Sequence, residues 1–331
     1  MLASRRRSVL ALDLGGTKII TAAVLSTGEI VSRKYSLTLA DEGPWPIINR
    51  LSSAVAETMA QAKLKTSDIA GIGIAAAGII DTKEGIVTTS PNLPGWRDVP
   101  LRDIIAERLG LITYLINDAS AAALGEHRFG AGRGVDNLIY LTVSTGIGGG
   151  IIIDGELYLG ADGCAGEIGH MIIETHGPQC NCGKFGCLEA LASGSAMTKE
   201  SVRRLNQGEK SSIIRLVDGR LESITAETVS LAARKGDSLA CDIVARAATY
   251  LGIGLANLVN IFNPELIVIG GGVSKMGNML LAPARKAIRE IAFKLPARTA
   301  RIVRARLGSN AGIIGAAVYV FEQQPKGGRK A

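Results

Sequence analysis

One short layout occurs twice in this chain, near its start and again in its middle. Residues 9–14 are apolar, 19–25 are apolar and 29–35 alternate, so they read as three strands with turns at Gly15-Gly16 and Thr27-Gly28. Residues 138–143, 149–153 and 156–159 repeat that reading around Ser144-Thr145-Gly146 and Asp154-Gly155. A repeat of this kind restricts the fold before any other feature is weighed, because each copy must find its own core. Alternating helices and strands follow each copy. In the first half 45–63 carries Leu51, Val55 and Met59 at helical spacing, 69–75 is a buried strand, 101–109 a helix, 112–116 a strand and 119–129 a helix. In the second half 194–206, 226–235, 238–261, 276–293 and 311–321 read as helices, and 266–269 and 302–305 as strands. The expected fold is α/β: two duplicated domains, 1–135 and 136–331, each a largely parallel sheet covered by helices, flanking a ligand-binding cleft.

At 331 residues the chain is long enough for two such domains. Hydrophobic residues make up 47% and charged residues 20%, a globular composition. Aromatic residues are only 4%, which argues against a base-stacking platform for single-stranded nucleic acid. The net charge of +7 is concentrated in the tails, at Arg5, Arg6 and Arg7 and at Lys326, Arg329 and Lys330, so the body is near neutral. Arg298, Arg301, Arg304 and Arg306 read as a solvent-facing strand or turn. The apolar run after the N-terminal arginines stops at Asp13, too soon for an export signal. The nearest approach to a membrane span, 251–273, is interrupted by Asn257, Asn260, Asn263, Pro264 and Glu265. These features predict a cytoplasmic protein that binds neither membrane nor nucleic acid. Cys164 and Cys241 read as ordinary buried thiols.

The densest chemistry lies between Glu167 and Glu189. Cys180, Cys182 and Cys187, with His170 or His176 as a fourth ligand, form a closed three-thiol, one-imidazole set suited to structural zinc. Close spacing lowers the cost of closing the loop around a metal. Glu167 and Glu189 flank the set and suit a polyol. Asp13-Leu14-Gly15-Gly16-Thr17-Lys18 forms a turn whose glycines let backbone amides approach phosphate, with Thr17 and Lys18 adding a hydroxyl and a charge. Asp13 suits Mg2+, held through water. Ser144-Thr145-Gly146 is the matching turn of the second half. Gly270-Gly271-Gly272 lies between a strand and a helix and suits contact with a nucleotide. Asn117-Asp118 ends a strand and opens an Ala-rich helix, so Asp118 is either a helix cap or a general base toward a hydroxyl that attacks phosphate. Ser90–Trp96 is a Pro-rich loop that presents Asn92, whose amide can donate to and accept from sugar hydroxyls. His127, near a helix end, reads as a surface or capping residue.

Taken together these motifs resemble the ROK family of bacterial sugar kinases, related open reading frames and repressors. The resemblance runs from Asp13 to the last helix. It rests on the Asp13–Lys18 turn, Asn117-Asp118, the 145–150 glycine run, Glu167-x-Gly169-His170 and the Cys180–Glu189 segment. It implies a duplicated actin-like ATPase (ribonuclease H-like) fold, ATP and Mg2+ as cofactors, structural Zn2+, and a homodimer or homotetramer. It further implies Asp118 as catalytic base, and Gly78, Asn92, Asn117, Glu167, His170 and Glu189 as sugar contacts. Asp13, Gly15, Gly16, Thr17, Lys18, Thr145, Gly146, Gly270, Gly271 and Gly272 would serve the nucleotide. His170, not His176, would join the three cysteines on zinc. Residues 75–81 and 90–96 look most like the family's glucokinases, so glucose is the expected acceptor. The alternatives are N-acetylglucosamine, N-acetylmannosamine, mannose or fructose as acceptor, polyphosphate as donor, or a sugar-responsive regulator. Family repressors carry an N-terminal helix-turn-helix domain, for which a first strand beginning near Ser8 leaves no room here.

Overall fold

The computed structural model describes residues 7–324; the basic groups of both tails, apart from Arg7, lie outside the described residues. The strands are β1 (Ser8–Leu14), β2 (Lys18–Leu25), β3 (Ile30–Leu37), β4 (Ile69–Ala76), β5 (Ile79–Asp81), β6 (Ile86–Thr89), β7 (Arg97–Val99), β8 (Thr113–Asn117), β9 (Leu138–Val143), β10 (Ile147–Ile153), β11 (Glu156–Leu157), β12 (Leu266–Gly270) and β13 (Arg301–Arg304). The helices are α1 (Pro44–Gln61), α2 (Leu101–Leu109), α3 (Asp118–Phe129), α4 (Leu188–Ala192), α5 (Gly194–Asn206), α6 (Ile213–Leu216), α7 (Ala226–Arg234), α8 (Ser238–Phe262), α9 (Asn278–Ile291), α10 (Lys294–Thr299) and α11 (Ala311–Gln323).

The repeat read from sequence becomes two five-stranded sheets of one topology, β3-β2-β1-β4-β8 and β11-β10-β9-β12-β13. In both, an antiparallel hairpin is extended by parallel strands that return through helices. The sheets are therefore mixed, not largely parallel. Strands β1–β3 pair antiparallel because turns of a few residues join them, whereas β1, β4 and β8 run parallel. Strands β1 and β4 are buried along nearly their whole length, as their unbroken apolar runs require. Strand β3 alternates half-buried and exposed residues along the sheet edge. A three-stranded antiparallel sheet, β5-β6-β7, is additional to the sequence reading.

The chain forms two compact units. The first comprises residues 7–134, 150–166 and 306–324, and the second 135–149 and 167–305. A single cut at 135 does not describe this division. Helix α11 packs on α3, β1 and β4 and so belongs to the first unit although it is last in sequence. Close packing there requires glycine, since a Cβ at Gly315 would lie 1.6 Å from the Ala121 carbonyl oxygen. The first core gathers Leu10, Leu12, Ile72, Ile74 and Leu115 from the sheet and Ile47, Leu51 and Val55 from α1. In the second unit α8 packs on α4, α7 and α9. It is long and apolar enough to cross a membrane, yet most of its residues are buried against these neighbours.

Several sequence readings change. His127 is buried inside α3, not at the surface. Cys241 is exposed on α8 and Cys164 half-buried. Arg298 closes the short α10, and Arg301 and Arg304 lie on β13, exposed as expected.

Candidate active site

In the first unit the candidate residues gather at the carboxyl ends of β1, β4 and β8. Register puts them there: Leu14 pairs with Ala76, and Ala76 with Asn117, so the residues that follow each strand emerge at one edge. Open α/β sheets bind ligands at this edge. The Asp13–Lys18 turn is closed by the Gly15 amide donating to the Lys18 carbonyl at 3.0 Å. The Thr38 hydroxyl donates to the Gly15 carbonyl at 2.6 Å. A Cβ on Gly16 would lie 2.6 Å from the carbonyl oxygen of Asn92. The glycine turn therefore rests on the Asn92 loop, whose Leu93 and Trp96 are buried anchors.

Asp13 is half-buried at the end of β1, and desolvation there pushes its carboxyl up to about 6, against the opposing charges of Lys18 and Arg33. In the next motif the helix cap is Asn117, not Asp118. Its side-chain oxygen accepts from the amides of Ala119 and Ser120 at 2.9 and 3.1 Å, so Asn117 is the cap of α3. Its amide nitrogen donates to the Gly78 carbonyl at 3.0 Å. Gly78 sits at φ +120, a conformation that disfavours any side chain. Asp118 thus opens the helix rather than capping it, and one carboxylate oxygen accepts from the Ala119 amide at 2.8 Å.

In the second unit His170, Cys180, Cys182 and Cys187 place their ligand atoms within 4.8 Å of one another, and His176 is not among them. The Cys182 and Cys187 sulfurs are 3.7 Å apart, and His170 Nδ1 is 3.8 Å from the Cys180 sulfur. Zinc–sulfur bonds of about 2.3 Å give a tetrahedral edge of about 3.8 Å, so the donor set fits zinc. Burial pushes the Cys180 thiol up to about 12, and Cys187 also rises through burial. Bound metal would reverse this by binding thiolates.

With Nδ1 turned to the sulfurs, His170 Nε2 lies 3.8 Å from a Glu167 carboxylate oxygen. Burial raises the Glu167 carboxyl; His170 opposes the rise and Glu189 adds to it. Glu189 bridges two motifs. One oxygen accepts from the Cys180 thiol at 3.6 Å and the other from the Ile147 amide at 2.9 Å. The second glycine turn and the cysteine loop therefore share a carboxylate.

A cavity of about 970 Å3 opens in the same unit, lined by Thr145, Ser195, Lys199, Arg234, Gly272 and Lys275 among others. The N-termini of α5 and α7, capped by Ser193 and Thr225, open onto it and suit an anion. Of the third glycine set only Gly272 lines the cavity. Gly270 instead admits the Tyr140 hydroxyl, and Gly271, at φ +80, crosses the Val143 carbonyl. Sequence reasoning missed Ser195, Lys199, Arg234 and Lys275, which lie in separate elements and carry no shared motif. The paired helix caps were the available signal.

Sheet topology, the two turns and the strand-end carboxylates define a duplicated chain of the actin-like ATPase fold. The ROK family model matches residues 9–323, and the chain belongs to the ROK family. It is 39% identical to a glucokinase of Thermotoga maritima over 95% of this chain and 98% of that one. It is 35% identical to a xylose repressor of Caldicellulosiruptor bescii over 95% of this chain and 78% of that one. A solved ROK glucokinase from Streptomyces griseus, in complex with glucose and AMPPNP, superposes with a TM-score of 0.83 at 37% identity, covering 95% of this chain and 99% of that one.

Proposed function

We propose that this chain is an ATP-dependent sugar kinase that transfers the γ-phosphoryl group to the 6-hydroxyl of glucose. The observation that carries the reading is the meeting of the Asp13–Lys18 turn, Gly78 and Asn117-Asp118 at one sheet edge. There Asp118 accepts the proton of the attacking hydroxyl. Asn117 caps α3 and bonds the Gly78 carbonyl, which fixes the start of α3, and with it Asp118, at the strand end. Asn92, Asn117, Glu167, His170 and Glu189 hold sugar hydroxyls. Asp13, Gly15, Gly16, Thr17, Lys18, Thr145, Gly146 and Gly272 serve the nucleotide. Mg2+ at Asp13 would neutralise charge on the phosphates. Zinc held by His170, Cys180, Cys182 and Cys187 would be structural: it would fix the tautomer of His170 and, by ordering the cysteine loop, the place where Glu189 follows Cys187. Glucokinases among the relatives favour glucose and ATP. A cytoplasmic homodimer fits the family.

A sugar panel offered with ATP and with polyphosphate, read by phosphosugar formation, tests this. Glucose with ATP is expected to give the highest kcat/KM; turnover of no sugar would overturn the reading. The similarity to xylose repressors supports a second reading, a sugar-responsive regulator. Sugar binding without turnover would favour it.

A further inference from the structure

The chain passes between its two units after Gly134, Gly149, Gly166 and Ala305. A single buried carboxylate holds the first-unit side of two of these crossings. Glu126, in α3, has no exposed surface. One of its oxygens accepts from both the Ala131 amide at 2.8 Å and the Arg306 amide at 3.1 Å. The other accepts from the Leu307 amide at 2.7 Å. Its backbone carbonyl takes the Gly130 and Gly132 amides as well, at 3.0 and 2.9 Å. A Cβ at Gly130 would lie 2.0 Å from the shared oxygen, so glycine is needed beside it.

Just beyond these amides the bonding changes sides. The Ala305 amide donates to the Ile269 carbonyl within the second unit, while the next amide, Arg306, belongs to Glu126. At the other crossing Gly132 is tied to Glu126, and the Asp136 and Asn137 amides go to Glu265 of the second unit. Between them lies Gly134 at φ +75, with open space around its Cβ position. The change of side thus falls at the Ala305–Arg306 link in one crossing and around Gly134 in the other. Such short segments act as hinges when packed elements hold both flanks.

We propose that Glu126 is the positioning residue of a two-strand hinge, its carboxylate clamping both crossings to the first unit so that they turn together. The consequence for catalysis rests on the kinase reading above: loosening the clamp lets water compete with the sugar hydroxyl for phosphoryl transfer. A buried backbone amide bonded to a carboxylate gains roughly 10–150-fold in protection from that bond.

Amide hydrogen exchange on the full chain tests the clamp without reference to activity. In Glu126→Ala, the Ala131, Arg306 and Leu307 amides are expected to exchange roughly 10–150-fold faster together, while Ala305 keeps its rate. Loss at one crossing only, or uniform acceleration across the first unit, would overturn the proposal. If Glu126→Ala does not fold, Glu126→Gln decides. Its one remaining oxygen serves either Ala131 and Arg306 together or Leu307, so the unserved set should accelerate alone; no acceleration at any of the three, or uniform acceleration, would overturn the clamp. In whichever variant folds, ATP hydrolysis relative to sugar phosphorylation is expected to rise. A merely structural role would lower both in step, and that result would overturn the catalytic consequence. A wild-type chain that phosphorylates no sugar would overturn the kinase reading while leaving the exchange test of the clamp intact.

Discussion

Gly146→Ala is a sharp test of the link between the second glycine turn and the carboxylates proposed to bind sugar. A methyl group there would lie 2.3 Å from the Glu189 carboxylate oxygen that accepts from the Ile147 amide. The next two nearest atoms are the Cδ and Cγ of the same side chain, at 3.1 and 3.9 Å. The obstacle is the end of a flexible side chain, so the fold survives and Glu189 moves. Moving it breaks a backbone bond to a charged acceptor, about 1.5–3 kcal/mol. If that positional energy is lost from sugar binding, the KM for sugar rises roughly 10–150-fold. Gly272→Ala, in the proposed nucleotide cavity, is the contrast for sugar KM, because its Cβ would meet only the Ser144 hydroxyl at 3.9 Å and leave Glu189 in place. Steady-state kinetics with varied glucose, alongside thermal melts, separates the outcomes. A Gly146→Ala variant that melts normally and keeps the wild-type sugar KM would refute the shared-carboxylate argument, as would an equal effect of Gly272→Ala.

Metal analysis should find one zinc per chain, and chelation should lower the melting temperature and sugar affinity before nucleotide affinity; loss of nucleotide binding alone would contradict the structural role. In metal-free protein the raised carboxyl of Asp13 makes a signed contribution to stability. A carboxyl lifted from 3.8 to about 6 binds more protons in the native state. Its contribution is therefore full below the unfolded value and is lost as pH rises toward 6. Asp13→Asn should flatten the fall in stability between pH 4 and 6, measured by denaturant midpoints, and an unchanged profile would count against the burial argument.

Much of the fold was legible because duplication, Gly turns and apolar runs are local signals. Strand β9 and helices α2 and α5 fall where their periodicity placed them. The sheet direction was not, since parallel and antiparallel strands share the same apolar run when both faces are buried. Strands β5 and β7 are too short to show a period. The division into units depends on α11 returning to β1 and α3, a long-range contact. At the candidate site the cysteine cluster was readable from spacing, while the choice of His170 over His176 came from the resemblance and is matched by the geometry. The roles of Asn117 and Asp118 separated only once the cap bonds were seen. Glu126 left no trace in sequence, because the amides it holds at Arg306 and Leu307 come from far along the chain.

The most direct test of the central claim compares wild type and Asp118→Asn for transfer of phosphate from ATP to glucose, with glucose binding measured on the same samples. The expected result is glucose 6-phosphate from wild type, a variant about 10²–10⁴-fold slower in kcat, and glucose affinity largely kept. Near-normal turnover by the variant would contradict the assignment of Asp118 as the base.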